Sequence, residues 1–112
     1  MPVAKIAATE SLSNAFTVGD GRFLGLQIPA AWDAGATAVT FQVSADDGAT
    51  FYDLYGSDGN PVSLAVTPGT CVSLAGIALD VAPWKRMKIR SGTPSVPAAQ
   101  AADVEVAVVW KD

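Results

Sequence analysis

The chain contains no histidine. That removes the commonest general base, the commonest zinc ligand and every Ser-His or Cys-His dyad. One cysteine, Cys71, allows no internal disulfide and anchors no metal by itself; it reads as a small strand residue. The remaining chemistry lies with carboxylates. Asp46, Asp47, Asp53 and Asp58 fall within one short stretch. Calcium takes several oxygens from flexible loops, and paired carboxylates hydrolyse glycosides, but the spacing does not follow an EF-hand loop. Aspartate also favours turns, where its side chain bonds its own backbone. The turn reading is preferred, so no catalytic residue, metal or cofactor is assigned. Gly19-Asp20-Gly21 lacks the further glycine and the helix that a phosphate-cradling loop needs. The chain reads as a binding protein and not an enzyme.

Basic residues are concentrated at Lys85, Arg86, Lys88 and Arg90. On a strand, Arg86, Lys88 and Arg90 share one face. They form either a stripe that docks on an acidic surface or the solvated face of an outer strand. The acidic turns lie elsewhere in sequence, so stripe and turns are expected to pair between neighbouring copies. Trp32, Tyr52, Tyr55 and Trp84 lie at or near turns. Aromatics beside carboxylates suit a carbohydrate platform; the plainer reading makes them plugs of a sandwich core. Arg86, Lys88, Arg90, Trp32 and Trp84 are the candidate partner contacts.

Only 16% of the residues are charged, against a usual share of about 25%. A surface so poor in charge suits an assembly component. The net charge of −4 argues against general affinity for nucleic acid or anionic membranes. Met1-Pro2-Val3-Ala4-Lys5 does not resemble the start of a secretory signal, and no apolar run has the length of a membrane span. The expectation is that the chain is made in the cytosol and either stays there or leaves inside a particle.

The elements that must position these residues follow a period of two. Leu24, Leu26 and Ile28; Val39, Phe41 and Val43; Val62, Leu64 and Val66; Val72 and Leu74; Met87 and Ile89; and Val104, Val106, Val108 and Trp110 each alternate with intervening residues. Such runs make half-buried antiparallel strands. Turn formers separate them, and Asp47-Gly48 between two apolar runs signals a hairpin. The pattern predicts an all-β antiparallel sandwich, jelly-roll-like, with about seven or eight strands. One helical turn is expected at Pro29-Ala30-Ala31-Trp32-Asp33-Ala34-Gly35 and another over 98–103. Residues 1–14 show no clear period and are expected to form an N-terminal arm that adds to a neighbour's sheet, with the sandwich over 15–112.

Three stretches carry a resemblance. They are Ile28-Pro29-Ala30-Ala31-Trp32, the run Val39-Thr40-Phe41-Gln42-Val43-Ser44-Ala45-Asp46-Asp47-Gly48-Ala49-Thr50-Phe51-Tyr52-Asp53-Leu54-Tyr55, and Lys88-Ile89-Arg90-Ser91-Gly92-Thr93 with Gln100-Ala101-Ala102-Asp103. Together they resemble small virion proteins of tailed bacteriophages and gene transfer agents, over most of the chain from about Phe23 onward. At this size the resemblance is to capsid decoration or cement proteins. It implies a sandwich that sits on the shell as a dimer or trimer, ties capsomers together, and has the major capsid protein or other virion proteins as partners. No catalytic residue carries over.

Two functions therefore compete: a decoration protein of the virion, and a virion surface or tail module that binds host glycan. A cement protein should present a flat apolar patch; a lectin should present a concave aromatic and carboxylate site.

Overall fold

The computed structural model describes residues 3–17, 22–74, 84 and 86–111. Nine strands run through them and no helix occurs among them. These are β1 (Val3–Ile6), β2 (Phe16–Thr17), β3 (Arg22–Gln27), β4 (Ala38–Ser44), β5 (Tyr52–Asp53), β6 (Ser63–Ala65), β7 (Cys71–Ser73), β8 (Arg86–Ser91) and β9 (Val104–Lys111). One sheet has the order β1-β9-β3-β7; the other has β2-β8-β4-β5, with β6 also on β4. Every pairing is antiparallel.

The strand count exceeds the expected seven or eight because one strand is interrupted. Between the pairs Asp53↔Gln42 and Ser63↔Thr40 the chain advances ten residues against two on β4. β5 and β6 are thus one edge strand broken by an excursion. Counted together they leave four strands in each sheet of the sandwich, and most successive strands change sheet.

All six alternating runs contribute strands, and buried apolar members of them meet between the sheets. Phe41, Ile89, Met87 and Val39 from one sheet face Leu26, Val106, Val108 and Ile6 from the other, all at or near zero exposure. Burying one such side chain stabilises by about 1.5–3 kcal/mol. The predicted helical turns are irregular loops instead. Trp32 N–H donates to Pro29 O and Ala36 N–H to Asp33 O, which makes tight turns without helical continuation. Segment 98–103 is held to the end of β8 and to residues 7–12, Ala98 N–H donating to Ser91 O and Gln100 N–H to Glu10 O.

The expected arm is part of the sandwich. β1 pairs with β9 over four residues, and Ala4 and Ile6 are wholly buried. Asn14 then covers the outer edge of β1: its Oδ1 accepts Lys5 N–H at 2.7 Å and its own N–H donates to Lys5 O at 3.1 Å. An edge strand with its groups occupied resists pairing with another chain. Between them, residues 7–12 form a strap in which Thr9 takes a φ of 71°. Thr9 N–H donates to Gln100 O and Ala8 N–H to Asp103 Oδ1. These bonds hold a conformation that a β-branched residue avoids.

Candidate functional site: two outer sheet faces

The basic stripe forms as expected on β8, where Met87, Ile89 and Ser91 point inward and Arg86, Lys88 and Arg90 outward. Their partners lie in the same chain. Arg90 Nη1 meets Asp53 Oδ1 at 2.7 Å, Arg86 Nε approaches Asp47 Oδ1 at 3.6 Å, and Lys88 Nζ stands 4.7 Å from the Phe51 ring centroid. The register explains this. Thr40 and Gln42 on β4 lie opposite Arg90 and Lys88, and Asp53 on β5 lies opposite Gln42, so acid and base straddle one strand. Gln42 Nε2 also donates to Asp53 Oδ1 at 3.3 Å. Two cations of the stripe therefore meet acids of their own chain, Arg90 at Asp53 and, more loosely, Arg86 at Asp47, where pairing between copies was the expectation; Lys88 stands against Phe51. Lys85 and the Gly19-Asp20-Gly21 turn lie outside the described residues.

The Asp-rich turn is self-contained. Asp47 and Gly48 take φ values of 60° and 94°, and Ala49 N–H donates weakly to Asp46 O, as in a type I′ turn. Ser44 Oγ donates to Asp46 Oδ1 at 2.6 Å, and Thr50 N–H donates to the same oxygen at 2.8 Å. The Ser44 hydroxyl, with the Thr50 donors behind it, holds the Asp46 carboxyl below its ordinary value near 3.8. Asn60 N–H likewise leads in lowering Asp58, whose Oδ1 it meets at 3.0 Å. Among the described residues no group of three or more His, Cys, Asp or Glu could hold a metal ion.

The aromatics divide. Trp32 is buried, its Nε1–H donating to Ala36 O at 2.8 Å, so it presents no surface to a partner and leaves the set of candidate contacts. Trp84 is half-buried against the core. Tyr52 and Tyr55 are exposed.

The outer face of the other sheet carries the surface that sequence reasoning did not single out. Its rows follow from the register: Val109, Gly25 and Ser73 in one; Val3, Ala107, Gln27 and Cys71 in the next; Lys5 and Glu105 in the third. Val3 and Val109 are exposed large apolar residues. Gly25 keeps its row flat, since a Cβ there would lie 2.9 Å from Val72 O. The charged pair Lys5 and Glu105 sits at one end. Beside it a groove of about 480 Å³ runs between β1 and the strap, lined by Val3, Lys5, Glu10, Leu12 and Glu105 among others. The signal in the sequence was Ala107 and Val109 at outward positions of β9, small or apolar where a solvated face would be polar.

No protein-family model matches the chain, and no curated protein matches it. Among solved structures it is similar to the SPBc2 prophage-derived protein YomS, with 19% identity, a TM-score of 0.44, and coverage of 95% of this chain and 91% of that one. A likeness this distant carries no argument about role.

Proposed function

We propose that this chain is a structural, non-catalytic component of a phage particle, of the capsid decoration type, and that it binds its neighbours through the outer face of the β1-β9-β3-β7 sheet. The single observation that supports the reading is that face: flat at Gly25, small at Ala107, Ser73 and Cys71, and apolar and exposed at Val3 and Val109. Covering it removes apolar area from water without burying an unpaired charge at its centre. The neighbouring groove accepts side chains that project from a partner. A domain that binds only the assembled lattice stabilises that lattice by mass action, and many copies on one shell are retained through repetition of weak contacts. The proposed partners are the major capsid protein or other virion proteins, with a second copy of the chain beside it.

The test adds purified protein to particles of the encoding phage assembled without it, followed by sedimentation. Wild-type protein is expected to co-sediment. Ala107→Arg and Val109→Glu, checked for unchanged melting, should be retained about tenfold less, because a lone charge is desolvated at the centre of the contact. Thr67→Arg, an exposed loop change, should behave as wild type. Equal retention of both face variants would falsify the assignment of this surface.

A second reading, a virion surface or tail module that binds host carbohydrate, draws on the exposed Tyr52 and Tyr55. Glycan-array binding lost in Tyr52→Ala would favour it. The groove at the strap is lined by neither tyrosine.

A further inference from the structure

The β1 end of the same sheet face carries one charge of each sign. Lys5 on β1 and Glu105 on β9 are direct register partners, and both are exposed and point outward. Among the described residues neither enters an ion pair. Two residues along, exposed Val3 stands opposite half-buried Ala107. Cation faces anion, and large faces small, across the line between β1 and β9.

That arrangement complements itself. Consider a second copy turned over by a half rotation about an axis parallel to the strands, lying on this face midway between β1 and β9. β1 of one copy then lies over β9 of the other at the same level. Lys5 meets the other copy's Glu105, and Glu105 meets its Lys5. Val3 covers Ala107, and Ala107 receives Val3. A two-fold interface requires a patch that fits itself in this way. Facing sheets stand about 10 Å apart, a gap that a lysine and a glutamate span together. Packed sheets cross at about 30°, which the axis bisects, so the pairs nearest the axis keep their register.

The groove lies where the next strand falls. β3 neighbours β9, and its exposed Gln27 is in register with Ala107. The same rotation carries β3 of the other copy one strand width beyond β1, over the cleft of about 480 Å³ bounded by Val3, Glu10, Leu12 and Asn14. Asn14 already occupies Lys5 N–H and Lys5 O. The contact there is therefore made by side chains, with Gln27 entering the cleft, and not by strand pairing.

We propose that the occupant of this end of the face is a second copy of the chain, related by that axis and held by reciprocal Lys5–Glu105 pairs. This rests on the reading of the face as a contact surface and names what covers it. Any other protein has to present the same two charges in reversed order, which the chain itself supplies. The overlap is narrower than a standard interface, so the dimer is weak in solution and gains from repetition on a lattice.

The experiment is sedimentation equilibrium at about 0.1–1 mM, where weak association is read. Wild-type protein is expected to dimerise, and less so in high salt. Lys5→Glu and Glu105→Lys each set like charges against each other at both symmetric places. Each should dimerise about tenfold more weakly. An equal mixture of the two variants should recover the wild-type association, because opposite charges then meet across the two copies. A gain on mixing has no source within one chain. Wild-type protein also carries a test free of variants: in a half-labelled sample, isotope-filtered magnetic resonance should show Val3 methyls close to the Ala107 methyl of a different copy. A dimer that shows neither the gain on mixing nor that contact overturns the proposal. Wild-type protein that stays monomeric throughout the range overturns it too. Should particles still retain that monomer and release Val109→Glu, the face stands as a virion contact and only the second copy is lost.

Discussion

Arg90 reaches across β4 to meet Asp53 at 2.7 Å, joining β8 to the edge strand β5. The pair is partly sheltered, with side-chain exposures of 12% and 32%, whereas Arg86 and Asp47 stand at 39% and 91%. Exposed pairs contribute little, and sheltered ones leave a stranded charge when one partner is removed. Arg90→Ala should therefore cost about 1–2 kcal/mol in urea unfolding and Arg86→Ala less than about 0.5 kcal/mol. Equal effects would mean that position across the sheet does not matter.

Gln100 is a wholly buried polar side chain that links three segments of the chain. Its Oε1 accepts Asp33 N–H at 2.8 Å and its Nε2 donates to Ser91 Oγ at 2.7 Å, while its backbone bonds both Thr9 and Glu10. It ties the strap, the Trp32 loop and the end of β8 together. Gln100→Leu keeps the volume but leaves Asp33 N–H without its acceptor, so a loss of about 2–4 kcal/mol is expected in the denaturant midpoint. Amide exchange of Thr9 should quicken in the same variant.

Asp46 gives a dependence on pH with a definite sign. Its carboxyl is lowered in the folded chain, chiefly by Ser44. The stabilisation is present above the unfolded value and fades as pH falls through the folded one, so it is flat near neutrality and lost below about pH 4. Ser44→Ala should move the Asp46 titration, followed by its carboxyl carbon resonance, back up toward 3.8. An unmoved titration would contradict the assigned cause.

Gly92 and Gly59 both take positive φ, at 93° and 84°. Their surroundings differ. A Cβ at Gly92 would lie 2.6 Å from Ala98 N and Val96 O, while one at Gly59 meets nothing within 4 Å. Gly59→Ala should cost only the backbone strain, about 1–2 kcal/mol, and Gly92→Ala clearly more in the same melting experiment.

The strands that were legible were those whose inward residues are large and outward ones polar, such as Val39, Phe41 and Val43 on β4. β1 was hidden because its pattern runs against size: Val3 points out while small Ala4 points in. β2 and β5 have two residues each, too few to show a period. The shared face of Arg86, Lys88 and Arg90 followed from alternation alone. Their acidic partners did not, because Asp53 reaches Arg90 only through the register of an interrupted strand. In the motif that carried the resemblance, Ser91, Gly92, Gln100 and Asp103 prove to be scaffold: a buried bond, a close backbone approach, and anchors for the strap. The apolar sheet face lay in plain sequence at Ala107 and Val109, but it becomes a surface only once Val3 and Gly25 are brought beside them.

Imaging, at side-chain resolution, of the phage particle proposed to carry this chain tests the central claim most directly. Density for a domain of 31 × 29 × 26 Å is expected on the particle, oriented with Val3, Ala107 and Val109 against a neighbouring protein. Particles without this chain, or a copy whose β1-β9-β3-β7 face is turned to solvent, would contradict the account.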